Sequence, residues 1–212
     1  MKKSFIQSLV LAGVAIALAI PAHADLVNGT FSTPPPGQFD ANVTGTTIPG
    51  WTVTSGNVDW INTYWQQPPG GGFSLDMDGS TPGAISQIVA TTAGVTYDLT
   101  FELSGNHNNE ADPDKILNVS AGPSSQQFTY NVDTFNNNNT TMLWQSESFI
   151  FTASGPSTSI TFASGDTPGN LTGPALGDVS LNVVTTPEPG LYGALAIGLS
   201  GLFYVMFRRR RA

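Results

Sequence analysis

The sequence predicts an all-β body, a two-sheet antiparallel jelly-roll sandwich, with a signal peptide before it and one C-terminal transmembrane helix after it. Three observations carry the β prediction. Tyr97, Leu99, Phe101 and Leu103 alternate with Thr96, Asp98, Thr100, Glu102 and Ser104, the clearest period-two segment in the chain. No helix-length stretch with a 3.6-residue period lies between residues 25 and 186. The 23 glycines and 15 prolines disfavour long soluble helices and cluster at turns.

The 212-residue chain divides into three parts. Residues 1–24 read as a secretory signal peptide: Lys2 and Lys3, an apolar run from Leu9 to Ile20, then the small-x-small motif Ala22-His23-Ala24. Residues 25–186 form the β-sandwich. Beyond the clear strand, Phe149, Phe151 and Ala153 alternate, as do Ile160 with Phe162, Val179 with Leu181 and Val183, and Phe128 with Tyr130 and Val132. Leu75 and Met77 alternate with Asp76 and Asp78, which places both carboxylates outward; the face of Ile85–Val89 is ambiguous. Turns fall at Pro34–Gly37, Ile48-Pro49-Gly50, Pro68–Gly72, Pro82-Gly83 and Gly155-Pro156. About eight to ten strands arranged this way suit a jelly roll. The polar loops Asn106–Asp114 and Asn136–Thr141 bury little apolar area and are expected to be solvated. In residues 187–212, Gly190–Phe207 carries no charge over 18 residues and is followed by Arg208–Arg211. At about 1.5 Å per residue it spans roughly 27 Å, enough for a bilayer core. The arginines hold that end in the cytoplasm, so the body faces outward.

Charge narrows the partners. Six of the seven basic residues stand at the chain ends, and residues 25–186 hold Lys115 alone against fourteen acids. Such a surface repels phosphate, which excludes nucleic-acid binding. The absence of cysteine excludes disulfides, zinc–thiolate sites and thiol nucleophiles. His107 is the one histidine after Ala24, so no charge-relay set can form, and no Gly-x-Ser-x-Gly elbow is present.

Two resemblances follow from motifs. Pro187-Glu188-Pro189, the apolar helix and the arginine cluster resemble the PEP-CTERM sorting signal of Gram-negative bacteria that make exopolysaccharide. The resemblance implies an inner-membrane anchor that an exosortase-type transpeptidase removes, after signal peptidase has acted at the other end. It also implies a final place in the envelope, on the cell surface or in the extracellular matrix. The body blocks Leu26–Phe31, Ile48–Val53, Val58–Ile61, Ser74–Gly79, Pro82–Gln87, Thr96–Asn106 and Gly173–Leu176 resemble, in order, the choice-of-anchor C family. That family is similar to galactose-binding-like jelly rolls shared with plant cell-wall proteins, which implies polysaccharide as partner. It further implies a structural calcium between Asn28, in the opening Asn-Gly segment, and Asp178 of the last strand. Here Gly177 stands before Asp178, where the family usually has an acid.

Sugar recognition needs flat apolar surface with convergent polar groups. The segment 59–66 supplies Asp59, Trp60, Asn62, Tyr64, Trp65 and Gln66. In a strand Trp60, Asn62 and Tyr64 share one face, and Trp65, next to a Pro/Gly loop, is the residue expected to be exposed. The reading is an exported, non-catalytic module that binds extracellular or envelope polysaccharide. Its alternatives are a structural matrix protein without a discrete ligand site and a glycoside hydrolase using Asp59, Asp76 or Glu102. Exposed aromatic platforms favour binding, four buried tryptophans favour the matrix protein, and two facing carboxyls in a cleft favour hydrolysis.

Overall fold

The computed structural model describes residues 25–32, 37–108, 112–169 and 171–184, together with 198, 200 and 207. The expected signal peptide, residues 1–24, and sorting motif, 187–189, lie outside the described residues, as does nearly all of the expected membrane helix. Among the described residues no helix is long and apolar enough to cross a membrane.

The described body is all-β. Its strands are β1 Phe39–Gly45, β2 Thr52–Ile61, β3 Ser74–Asp76, β4 Ala84–Ala90, β5 Thr96–Gly105, β6 Asp114–Ala121, β7 Ser124–Asn131, β8 Gln145–Thr152, β9 Ser157–Ser164 and β10 Pro174–Val183. One helical turn, α1 Val132–Phe135, follows β7, capped by Asn131, whose side chain accepts from the Thr134 amide. Every strand pairing is antiparallel.

The expected two separate sheets are corrected to one hydrogen-bonded path, β7-β6-β9-β4-β2-β3-β10-β5-β8, with β1 on β2. The joint is β2. Thr52, Val53 and Ser55 pair with β4, whereas Asp59, Trp60 and Ile61 pair with β3. Gly56 stands between the two halves at φ 55°, where a Cβ would sit 2.0 Å from the Pro82 carbonyl oxygen, so only glycine fits the corner. The path folds into two facing layers. Phe101 of β5 meets Phe128 of β7 at 5.1 Å and Phe162 of β9 at 5.3 Å, both edge to face.

The main core fills the space between the layers, with Phe31, Trp51, Leu75, Ile85, Leu99 and Phe162 among its members. The ambiguous β4 resolves through Gln87. Its side chain accepts from the Val27 amide at 2.7 Å and donates to the Val27 carbonyl at 2.9 Å, so it lies inside and Ile88 faces out. Strand β6 escapes the alternation test because its first inward position is Lys115, which is fully buried.

One solvation expectation fails, and a second holds for the described loop residues except at two positions. Asp76 and Asp78 are buried along with Leu75 and Met77, because β3 has neighbours on both edges and its ends are covered. In the polar loops Asn106 and Asn137 are buried; the Asn137 amide donates to the Gly105 carbonyl at 2.8 Å. Asparagine satisfies backbone groups inside the fold here, a use that composition does not reveal.

Candidate functional site

A cavity of about 280 Å³ opens where β1, β2, β3 and the segments flanking β5 and β10 meet. Strand register places its walls. Phe39 of β1 stands opposite Ile61 of β2, and Asp59 of β2 stands opposite Asp76 of β3. Tyr64 and Trp65 come from the β2–β3 connection, Asn106 and Asn108 from the end of β5, and Leu171 and Thr172 from the approach to β10.

One wall is aromatic. Phe39 and Tyr64 meet edge to face at 5.5 Å, and Tyr64 lies 5.9 Å from Trp65. Phe39 is 44% exposed, and Leu171 at 59% extends the apolar rim. The other wall is polar. Asn108 donates to the Tyr64 hydroxyl at 3.1 Å. Asp59 accepts from the Asn42 amide through Oδ1 at 2.8 Å, and its Oδ2 carries no hydrogen bond among the described residues. Burial raises its pKa, the Asn42 bond opposes the rise, and Asp40 adds to it.

Asp76 forms the floor. Its Oδ1 accepts from the amides of Asp78 and Gly173, each at 3.0 Å, and its Oδ2 accepts from the Asn106 side chain at 2.7 Å. Burial still raises its pKa to about 7.

Of the six residues expected to bind ligand, Asp59, Tyr64 and Trp65 line the cavity. The expected exposure of Trp65 is corrected: it is 4% exposed, because its indole N–H finds Ser74 Oγ inside at 2.8 Å. It belongs to a second small core with Ile61, Met142 and Ala175. Trp60 is buried elsewhere and donates to the Phe31 carbonyl at 2.8 Å. The strand ends at Ile61, so Asn62 and Tyr64 do not continue the face of Trp60. Asn62 donates to the Gly37 carbonyl and Gln66 accepts from the Met142 amide, so these two brace the loop. Phe39, Ile61, Asn108, Leu171 and Thr172 escape the sequence reading, since strand pairing and loop return bring them together from four distant segments.

Asn28 and Asp178 belong to neighbouring segments, joined by the Val179 amide donating to the Gly29 carbonyl at 2.9 Å. Asn28 accepts from the Ser32 amide and donates to the Pro49 carbonyl. Asp178 accepts from the Gly70 amide at 2.6 Å and keeps Oδ1 buried without a partner. A Cβ at Gly177 would meet Pro68 Cγ at 2.6 Å, so no acid fits there. Calcium takes six to eight oxygens. The side chains of the pair offer one bare carboxylate oxygen, far short of that number without backbone carbonyls. Among the described residues no three His, Cys, Asp or Glu side chains converge as a metal cluster.

Residues 24–182, the whole of this body, match the family described as Protein of unknown function (DUF642). The chain belongs to the DUF642 family. Halomucin of Haloquadratum walsbyi is 44% identical over 66 residues, which cover 31% of this chain and 1% of that protein. Two solved carbohydrate-binding modules are structural neighbours. TmCBM61, in complex with β-1,4-galactotriose, has a TM-score of 0.45 and 19% identity over 75% of this chain and 97% of that one. The CBM22-1 xylan-binding domain from Paenibacillus barcinonensis has 0.42 and 15% over 70% and 99%.

Next to the cavity floor this DUF642 body buries a group of charged side chains. Lys115, fully buried, donates to Thr172 Oγ1 at 3.1 Å. Asp78 is also fully buried, with the Ser164 side chain near its carboxylate. Burial raises its pKa, with Ser164 and Lys115 opposing the rise. Asp166 accepts from the Ile116 amide at 2.7 Å through Oδ1, and its Oδ2 is buried without a partner. Burial pushes its pKa up to about 6.

Proposed function

We propose that this DUF642 protein is a non-catalytic carbohydrate-binding module whose site is the cavity between Phe39, Tyr64 and the Asp59–Asn108 wall. The observation that carries this reading is the pairing of the exposed Phe39 ring and the half-buried Tyr64 ring with fixed hydrogen-bonding groups across one cavity. Sugar rings present C–H faces to aromatics and hydroxyls to polar side chains. Asp59 with its free oxygen, Asn108 and the Tyr64 hydroxyl suit the second part.

Hydrolysis is disfavoured although Asp59 and Asp76 face each other in register. Asp76 is buried, and the amides of Asp78 and Gly173 and the Asn106 carboxamide fix both of its oxygens in the cavity floor, which favours a structural role for it over that of catalytic acid or nucleophile. A second reading, the structural matrix protein, draws on the burial of Trp51, Trp60 and Trp65, which removes three of four tryptophans as platforms.

The proposal includes the cellular setting. Residues 1–24 direct export, and residues 187–212 hold the body to the inner membrane until an exosortase-type enzyme acts on Pro187-Glu188-Pro189. The body then reaches the envelope, cell surface or matrix, where polysaccharide is the partner. The signal-like and sorting-like motifs of the sequence support this part. Intact-mass analysis from the native host tests it: a steady-state species retaining Arg208–Arg211 defeats sorting.

A glycan array followed by titration calorimetry tests the binding reading with the full-length protein. Binding is expected for at least one host polysaccharide, and Tyr64→Ala is expected to abolish it. Absence of binding by the wild-type protein would leave the matrix reading ahead.

A further inference from the structure

We infer that the cavity takes the uncharged end unit of a glycan and rejects an end unit bearing a carboxylate. The inference rests on the carbohydrate-binding reading and names the substrate class for that site. Two features of the cavity, its size and its charge, carry it.

The cavity measures about 280 Å³, just below the range of about 300–1,000 Å³ typical of sites for drug-sized ligands. A space of that size accommodates one or two sugar rings, and a longer chain has to continue outside it. The lining is built as an end stop. Asp76 and Asn106 close the floor with a 2.7 Å hydrogen bond, and both are buried. Phe39 and Leu171 stand at the rim and are the most exposed apolar lining residues. The end ring therefore enters toward Asp76, with the remainder of the chain passing the rim.

The charge of the lining is one-sided. Among the described residues its charged members are Asp59 and Asp76, opposite one another in register, with no lysine, arginine or histidine beside them in the lining. Lys115 is the one lysine or arginine among residues 25–186, and it lies fully buried with its ammonium donating to Thr172; His107, between Asn106 and Asn108, is not among the lining residues, and burial lowers its pKa. A uronate would bring its carboxylate beside Asp59, and beside Asp76 to the extent that the latter, with a pKa of about 7, is ionised, with no lysine or arginine in the lining to meet it. In a site partly shielded from water, like charges a few ångströms apart repel strongly. The surrounding body, one lysine against fourteen acids, repels it at longer range as well. The free acceptor on Asp59 is matched instead by a sugar hydroxyl, which donates. Rejection of the acidic ligand is thus built in by repulsion, on top of the contacts that favour the neutral one.

Titration calorimetry on the full-length protein, with paired small sugars, tests the inference. The probes are galactose and glucose with their C6-oxidised counterparts galacturonate and glucuronate, and neutral di- and tetrasaccharides of each parent. The neutral member of at least one pair is expected to bind at least tenfold tighter than its uronate at neutral pH. Lowering the ionic strength is expected to widen that ratio. Asp59→Asn, which keeps size and polarity, is expected to narrow it at least threefold. Tetrasaccharide and disaccharide are expected to bind within about threefold of each other. Equal or tighter uronate binding overturns the charge rule, and affinity that rises tenfold or more from di- to tetrasaccharide overturns end recognition; both leave carbohydrate binding standing. No binding of any probe or host polysaccharide overturns the inference and the reading beneath it together.

Discussion

The Asn106 side chain donates to Asp76 Oδ2 at 2.7 Å, tying the first residue of a polar loop to a carboxylate at the centre of the fold. The pair closes the cavity floor, and it explains how a carboxylate survives on a strand with neighbours on both edges. Asp76 is fully supplied with donors: two backbone amides on Oδ1 and this carboxamide on Oδ2. Burial drives its pKa up, and each of those donors opposes the rise.

Asn106→Ala removes one of the three donors. A buried acceptor left unpaired costs about 1–3 kcal/mol. At about 2–4 °C per kcal/mol for a chain of this size, the melting temperature falls by several degrees. The pKa of Asp76 rises further, so the loss is larger at neutral than at mildly acid pH. Calorimetric melts at about pH 5 and about pH 7 measure both effects; an equal loss at the two would contradict the ionised, donor-supplied carboxylate.

Asp166 gives a pH dependence with a definite sign. Its folded pKa of about 6 lies above the ordinary 3.8, chiefly through burial, with Asp78 and Asp112 adding and Ile116 and Lys115 opposing. Between those two values the folded state holds a proton that the unfolded chain has released. Stability therefore falls as pH rises across that window. Asp76, at about 7, adds a decline of the same sign over a wider range. Asp166→Asn abolishes its own contribution. Denaturant titrations across about pH 4 to pH 7 are expected to show a shallower decline in the variant and a gain in stability at neutral pH. An unchanged slope would mean that Asp166 titrates normally.

Lys115 is the one lysine or arginine in the body, and it is buried rather than on the surface. Its charge lowers the pKa of both Asp78 and Asp166. Removing one partner from a buried charged group costs about 3–5 kcal/mol. Lys115→Met is expected to lose about that much at neutral pH and less in acid, once the two carboxyls carry protons. A double variant with Asp78→Asn is expected to recover part of the loss. Equilibrium unfolding of the four members of that cycle gives the coupling directly.

Strands β8 and β9, most of β5 and the second half of β10 were legible in the sequence because there one face lies on the core and residues alternate. What was not legible has specific physical causes. Lys115 and Gln87 occupy inward positions as hydrogen-bond donors and acceptors, so polarity and direction part company in β6 and β4. The joining of the layers depends on a glycine corner within β2, which a period-two pattern cannot express. Half of the expected ligand set reached the cavity, since Asp59, Tyr64 and Trp65 flank one strand end. The opposite wall, Asn106, Asn108, Leu171 and Thr172, is assembled by pairing between β5 and β10, contacts made across more than sixty residues of chain.

Calcium is expected to leave the protein unchanged. Asn28 is engaged by Ser32 and Pro49, and Asp178 offers one bare oxygen. Ligand binding to the folded state alone would raise the melting temperature by mass action. Melts in chelator and in millimolar calcium are therefore expected to coincide. A rise of several degrees that Asp178→Asn removes would show that the segment gathers further oxygen ligands when the ion is present.

Tyr64 and Trp65 are adjacent in sequence and differ in role, which makes their substitution a sharp test of where binding resides. Trp65 is 4% exposed, anchored through Ser74 and packed with Ile61, Met142 and Ala175. Truncating a buried tryptophan costs about 3–5 kcal/mol. Trp65→Ala is thus expected to lower the melting temperature by roughly 6–20 °C at the usual proportion. Tyr64 is half-buried, meets Phe39 edge to face and holds Asn108 through its hydroxyl. Tyr64→Ala is expected to cost less stability and to abolish glycan binding, because it removes both the ring and the positioning of Asn108. Tyr64→Phe separates the two contributions. It keeps the apolar face and releases Asn108, so it is expected to weaken binding about tenfold or less while the melt stays within a few degrees of wild type. Calorimetric titration and melts of the three variants, run on the same preparations, check each expectation. Undiminished glycan binding in Tyr64→Ala would remove the cavity wall from the site and return the binding surface to another face of the sandwich.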